Sequence, residues 1–204
     1  MNRQLKKENI RENIIQALYE LLKGRTFENL SSKEICEKAG VSKRTLYIYF
    51  RSQDEMYLEL VRRSFKHMVE TFEQDMMFET TIEDKICNIG ERYLCFLFDH
   101  PTEGELIIGY DEKRYVEAFP ELVGEISTIA NEYELLHIFR KWKLDPEIYD
   151  SNLAIFLWAY IQGIAQLLVR KEGWMEGYYG MPIQKIIKDQ IHFVRIMLRG
   201  VIND

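Results

Sequence analysis

Apolar positions recur along the chain at helical spacing. Ile10, Ile14, Ala17, Leu18 and Leu21 share one face of a first helix, which Gly24 ends. Ser31 and Glu34 form an S-x-x-E capping box ahead of Ile35, Cys36 and Ala39, predicting a short second helix that stops at Gly40. A turn follows, and Ser42 caps a third helix through about Tyr49. Ser52 and Glu55 make a second capping box that opens a long helix lined by Tyr57, Val61, Phe65, Met68 and Phe72.

Beyond Thr81 the helices lengthen. Ile82, Ile86, Ile89, Tyr93 and Phe96 form one stripe, ended by Pro101, and Thr102 with Glu105 predicts a short capped helix through about Gly109. A polar loop is expected around Asp111 to Arg114. Leu122, Ile126, Ile129, Tyr133 and Leu136 mark the next helix, and Asp145 with Pro146 is a favourable N-cap and first position for the one after. In that helix Leu153, Phe156, Tyr160, Ile164 and Leu167 make one apolar face, while Ile155, Trp158, Ala159, Ile161, Ala165 and Leu168 or Val169 occupy much of the others. A helix apolar nearly all round is buried on two sides. A break at Gly173, Gly177 and Gly180 separates it from a last helix starting at Pro182. This one carries Ile183, Ile187, Ile191, Val194, Leu198 and Val201 on one face and Phe193, Ile196 and Met197 elsewhere. The fold class is all-α, with about nine helices and no strand-like alternation.

Composition narrows the picture. With 47% hydrophobic and 29% charged residues in 204, the chain can bury a sizeable core. The net charge of −6 divides unevenly. Residues 1 to 65 hold 13 Lys/Arg against 9 Asp/Glu, a net +4, which leaves 14 against 24, or −10, for the rest. The basic end is the one suited to phosphate. Cys36, Cys87 and Cys95 lack CxxC or Cys/His spacing, so buried free thiols are expected rather than a disulfide frame or a zinc site. The segment MNRQLKKENIREN has no apolar h-region, and no stretch reaches about 18 uninterrupted apolar residues. A cytoplasmic protein with no membrane partner is expected.

The chemistry concentrates in Leu30 to Leu58, LSSKEICEKAGVSKRTLYIYFRSQDEMYL. A helix, a tight turn at Gly40 and a second helix whose first turn carries Ser42, Lys43, Arg44 and Thr45 is the arrangement that lets a helix N-terminus enter a major groove. Arg and Lys donate to guanine edges or phosphate, Ser and Thr serve either, and tyrosine hydroxyls bond to phosphate oxygens. Ile35, Ala39, Val41, Leu46 and Phe50 would hold the two helices together.

Here the chain resembles the TetR family of bacterial transcriptional regulators. The resemblance runs from about Ile10 to Leu60. It rests jointly on Ala17 in the first stripe, Gly24, Ile35, Ala39-Gly40-Val41-Ser42, Thr45-Leu46-Tyr47 and Tyr49-Phe50. It implies a helix-turn-helix DNA-binding domain, residues 1–51, followed by a helical effector-binding and dimerisation domain, residues 52–204. It also implies a homodimer on a palindromic operator, by default a repressor. Two departures stand out. Arg44 replaces the small residue common before Thr-Leu-Tyr, adding a base reader, and Gln53 replaces the lysine common after Tyr-x-Phe, removing a phosphate contact. The expected DNA-binding set is Ser42, Lys43, Arg44, Thr45, Tyr47, Tyr49 and Gln53, helped by the arm residues Arg3, Lys6 and Lys7.

The resemblance further implies that the last two helices pair in a four-helix dimer bundle, which the doubly apolar pattern asks for independently. Trp158, Ile161, Gly163, Ala165, Phe193, Ile196 and Met197 are its expected interface residues. Tyr93, Phe96, Tyr110, Tyr133 and Trp158, with carboxylates at Glu103, Glu105, Asp111 and Glu117, would suit an aromatic or cationic effector. No enzyme is expected, and no cofactor or metal. His67, His100, His137 and His192 are isolated in the sequence, without HExxH, paired Cys or a phosphate loop. The rival is a helical protein-binding or ligand-sequestering module with a degenerate helix-turn-helix.

Overall fold

The computed structural model describes residues 3–73 and 81–203, and these contain helices and turns but no strand. The helices are α1 (Arg3–Leu22), α2 (Ser32–Ala39), α3 (Lys43–Tyr49), α4 (Gln53–Glu73), α5 (Ile82–Asp99), α6 (Pro101–Gly109), α7 (Glu112–Tyr115), α8 (Pro120–Ala130), α9 (Leu135–Lys141), α10 (Ser151–Tyr179) and α11 (Ile183–Asn203). The chain forms two compact units, one of Met1–Ser64 with Tyr110–Ile126, the other of Phe65–Gly109 with Ser127–Asp204.

In the first unit α1 buries Ile14, Ile15, Ala17, Leu18 and Leu22, and packs on Ile35, Cys36 and Ala39 of α2. Both expected caps form at α2. Ser31 Oγ accepts from Glu34 N–H and the Glu34 carboxylate accepts from Ser31 N–H at 2.9 Å, while Gly40 ends the helix at φ 64°. At the start of α4 the box is displaced by one residue. Ser52 Oγ accepts from Glu55 N–H, but the Glu55 carboxylate reaches back to the N–H of Arg51. The same unit takes in α7 and the first part of α8, whose Tyr115, Phe119, Val123 and Ile126 are buried, with Tyr115 5.6 Å from the ring of Tyr57.

The second unit is organised on α5. Its buried Ile86, Cys87, Ile89, Tyr93, Leu94, Phe96 and Leu97 share one core with α10 and α11. The three cysteines are free thiols, Cys36 and Cys87 buried and Cys95 half-buried, and burial pushes the Cys87 thiol up to about 11.

Local pattern misplaced several elements. The expected polar loop at Asp111 to Arg114 contains α7, because Asp111 accepts from Lys113 N–H and starts a helical turn. The stripe from Leu122 to Leu136 is broken by a 3-10 turn, Asn131–Tyr133, after which the Glu134 carboxylate caps α9 by accepting from Leu136 and His137 N–H. Asp145 caps only a turn, accepting from Glu147 N–H, and the true cap of α10 is Asp150, which accepts from Leu153 N–H at 2.8 Å. The glycine-rich stretch does not end that helix. Gly173 and Gly177 lie within α10, whose one departure from helical geometry is at Lys171 (φ −139°, ψ 26°), and Gly180 ends it at φ 64°. A helical glycine costs only about 1 kcal/mol, which the burial of Met175 in the core offsets.

The core face of α10 is also rotated from the expected one. Leu153, Ala154, Leu157, Ile161, Ala165 and Leu168 are buried, whereas Phe156 points outward. Ser151–Lys171 is long and apolar enough by composition to cross a membrane, but its core face packs on α5 and α6.

Gly104 sets how closely α6 meets α5. A Cβ there would lie 2.9 Å from the backbone oxygen of Leu97 and 3.3 Å from its Cα, whereas at Gly90 it would meet only the side-chain ends of Ile191 and Ile161. Alanine for glycine inside a helix ordinarily stabilises by roughly 0.5–1 kcal/mol. Gly104→Ala is expected to reverse that sign, costing about 1–3 kcal/mol as an overpacked contact. Urea unfolding of the variant checks this, and stability equal to or above that of the parent chain refutes the contact.

Candidate nucleic-acid interface

The turn between α2 and α3 is built by hydrogen bonds that the sequence half announces. Gly40 N–H donates to Cys36 and Glu37 carbonyls, and Val41 N–H donates to Cys36 O at 3.0 Å, closing α2 with a left-handed residue that only glycine adopts cheaply. Asn13 of α1 donates from its side-chain amide to Ala39 O at 2.7 Å, fixing the end of α2 from outside the motif. Ser42 then caps α3, its Oγ accepting from Thr45 N–H at 3.0 Å and lying 2.8 Å from Thr45 Oγ1.

Leu46 and Phe50 are buried and anchor α3, so the opposite face of the helix is turned out. Ser42, Lys43, Arg44 and Tyr47 are exposed, Thr45 and Tyr49 half-buried. Lys43 and Arg44 make no ion pair among the described residues. Both cations at the helix start are therefore available to an external anion. Gln53 is placed differently. Its Nε2 donates to Leu30 O at 3.2 Å, tying the start of α4 to the strap before α2, so it serves the motif's internal geometry. Tyr47 and Gln53 border an open cleft of about 440 Å³ with Arg51 and Arg114. Lys7 is exposed, while the side chains of Arg3 and Lys6 lie outside the described residues.

Two features escaped sequence reasoning. Ile48, next to the last residue of α3, is an apolar side chain left 68% exposed by the described residues. Its offset of two from both Leu46 and Phe50 places it opposite the anchored face, a signal that the spacing carries. Such a side chain suits contact with a thymine methyl group. The second is Glu59, only 3% exposed. Its carboxylate accepts from Arg62 and Arg63 at 2.9 Å each and lies 3.3 Å from Arg11 of α1, whose guanidinium stacks 4.8 Å from the ring centre of Phe50. Burial alone pushes this carboxyl up. The three guanidiniums together outweigh it and hold it down at about 2. Nothing in a Glu at one helical position announces partners on another helix.

The other candidate residues do not form one cluster. Tyr93 is buried, accepts from Gln162 Nε2 at 3.0 Å and lies 6.4 Å from the ring of Trp158, and Phe96 is buried on the same helix. Tyr133 packs edge-on against Phe72 at 5.0 Å. Tyr110 belongs to the first unit, where its ring stacks on Tyr115. Of the residues expected at an interface, Trp158, Phe193 and Ile196 are more than half exposed, Gly163 is exposed and Met197 is half-buried. Ile161 and Ala165 lie instead in the core of the second unit, the former against Gly90 of α5. The helix presents its other side outward.

A short helix, a glycine turn and a second capped helix with an unpaired basic N-terminus define a helix-turn-helix DNA-binding domain. Residues 14–60 match the model of the bacterial regulatory proteins of the tetR family. It is 23% identical over 84 residues to the fatty acid metabolism regulator protein of Bacillus subtilis, an alignment spanning 41% of this chain and 43% of that one. It is 23% identical over 172 residues to the nucleoid occlusion factor SlmA of Marinobacter nauticus, covering 80% of this chain and 86% of the relative. The crystal structure of FadR from Bacillus subtilis in complex with stearoyl-CoA shares the fold. Its TM-score is 0.63 at 13% identity, over 90% of this chain and 96% of that one.

Two variants separate reading from support. Arg44→Ala is expected to cost roughly 1–3 kcal/mol on a selected operator and to relax specificity, with thermal stability unchanged because the side chain has no internal partner. Equal losses on operator and random duplex would remove Arg44 as a reader. Glu59→Gln is expected to lower unfolding stability at pH 7 by about 1.5–3 kcal/mol, the range for a hydrogen bond to a charged group. Because the folded carboxyl titrates near 2 rather than 4.5, its contribution is present above about pH 4.5 and disappears as pH falls toward 2. Urea unfolding as a function of pH should show a flatter acid limb in the variant. An unchanged limb would mean that Glu59 does not carry it.

Proposed function

We propose that the chain is a ligand-responsive repressor that binds a palindromic operator as a homodimer in the cytoplasm. The observation that carries this reading is the pairing of two unsatisfied surfaces. One is the outward face of α3, with Lys43, Arg44, Tyr47 and Ile48 exposed. The other is the apolar outer side of α10 and α11, where Ile155, Phe156, Trp158, Phe193 and Ile196 are each more than half exposed. Large contiguous apolar surface calls for a protein partner, and a self-complementary pairing of two long helices is the economical one. A two-fold dimer would present two copies of α3, and reading successive major grooves requires them about one helical turn, roughly 34 Å, apart. The negative remainder of the chain keeps the rest of the surface off the phosphates, so DNA would be engaged through the basic end.

In this reading an effector binds the second unit and favours a dimer shape in which that separation is wrong. The fatty acid metabolism regulator and the FadR structure holding stearoyl-CoA support trying long-chain acyl thioesters. Tyr93, Phe96 and Trp158 support trying aromatic or cationic effectors. Whichever binds, operator and effector must weaken each other by the same factor.

Selection of binding sites from random duplex DNA, followed by a salt titration on the winner, tests the reading. A palindrome whose affinity falls steeply with salt is expected. A Trp158→Glu, Phe193→Glu double variant should sediment as a monomer and bind single half-sites only. Failure to enrich any sequence at low salt would favour the helical module with a degenerate helix-turn-helix, and enrichment of a non-repeated site would refute the dimer.

A further inference from the structure

Three metal-ligating side chains that lie far apart in sequence converge in the second unit. His67 comes from α4, His100 from the residue that caps α5, and Glu103 from the first turn of α6. One donor atom from each lies within 4.8 Å of the other two. His67 Nδ1 sits 3.0 and 3.2 Å from the two Glu103 oxygens, and His100 Nδ1 sits 3.9 Å from Glu103 Oε1. The two imidazoles stand 4.8 Å apart between ring centres, and Phe96 packs against both, at 5.3 Å from His67 and 4.7 Å from His100. A single apolar ring thus supports both.

We propose that His67, His100 and Glu103 form a binding site for a divalent transition-metal ion of the zinc, cobalt or nickel class. Three observations carry it. Ligands bonded at about 2.0–2.2 Å to one ion sit about 3–4 Å from each other, so small rotations of the two rings close the set. The Glu103 carboxylate is only 13% exposed, yet no lysine or arginine pairs with it among the described residues. A dication bound between the two rings and this carboxylate would supply the positive charge that no neighbouring side chain of the described residues brings to it. Finally, the two-nitrogen, one-oxygen donor set selects borderline metals over magnesium or calcium, which prefer all-oxygen sites.

The site is open on one side, because the His67 and His100 side chains are 43% and 38% exposed. Remaining coordination positions would be taken by water, and the ion can exchange with solvent. Occupancy would join α4 to the α5–α6 junction, where Gly104 already holds the two helices in close contact.

The test uses the untagged full-length chain, stripped with a chelator and titrated with cobalt(II) alone. One equivalent should bind with visible d–d absorption that zinc(II) abolishes and a large excess of magnesium(II) leaves unchanged. His67→Gln, His100→Gln and Glu103→Gln should each weaken cobalt binding by about 10-fold or more, while the exposed His137→Gln should bind as the parent does. Histidine ring proton spectra of the parent chain give a readout independent of any variant. Zinc(II) should shift the resonances of His67 and His100 and leave those of His137 and His192 in place. Absence of cobalt absorption, displacement by magnesium, shifts confined to His137 or His192, or full affinity in all three variants would each overturn the site.

Discussion

The reading unit depends on a carboxylate that has almost no water. Glu59 gives up its hydration to sit between α1 and α4, and three guanidiniums compensate it. A buried charge is tolerated only where partners saturate it, and here each partner also performs a second task. Arg63 reaches Glu12 of α1 at 2.7 Å, Arg62 approaches Glu125 of α8, and Arg11 lies over Phe50 at the end of α3. Through one carboxylate α1, the end of α3 and α4 are held in register. The neighbouring buried polar group, Ser64, is satisfied locally by donating to Leu60 O.

That scaffold explains why the outward residues of α3 can be so sparsely supported. Leu46 and Phe50 give the helix its seat, Ser42 and Gly40 its ends, and Asn13 the anchor for the turn. None of these occupies the face that carries Lys43, Arg44 and Ile48. A recognition surface presented on a rigid element loses little entropy on binding. Gln53 carries no charge and ties the start of α4 to the carbonyl of Leu30.

In the second unit, the physical problem is a surplus of apolar surface. Helices α10 and α11 each have a face in the core around α5 and another left outside it. Burying six apolar residues of α10 against α5 and α6 leaves Ile155, Phe156 and Trp158 exposed, at an energetic cost of about 25 cal/mol for each Å² of apolar area left in water. Glycines at 90 and 104 let the neighbouring helices approach α5 closely enough to fill its side of the core. The same α5–α6 junction brings His100 and Glu103 beside His67, so close packing and polar chemistry meet there.

By itself the sequence determined what local physics decides. Caps at Ser31, Gly40 and Ser42 marked where the N-terminal helices begin or end, because a capping side chain acts within four residues of itself, whereas the expected cap at Thr102 lies inside α6, which begins at Pro101. The exposure of Ser42, Lys43, Arg44 and Tyr47 around α3 was legible for the same reason, and that of Ile48 could have been, from its offset to Leu46. Periodicity failed where both faces were apolar. In α10 it chose Phe156 and Tyr160 over Leu157 and Ile161, since a pattern with no polar side has no phase. It also carried one helix across Asn131–Tyr133, where the Glu134 carboxylate competed successfully for two backbone N–H groups. Only the tertiary structure decided which charges meet. Glu59 with Arg11, Asn13 with Ala39, the joining of Tyr110–Ile126 to the N-terminal unit, and His67 with Glu103 across 36 residues all depend on how helices pack. Packing is a sum over many weak contacts distributed along the chain, and no short window of residues contains it.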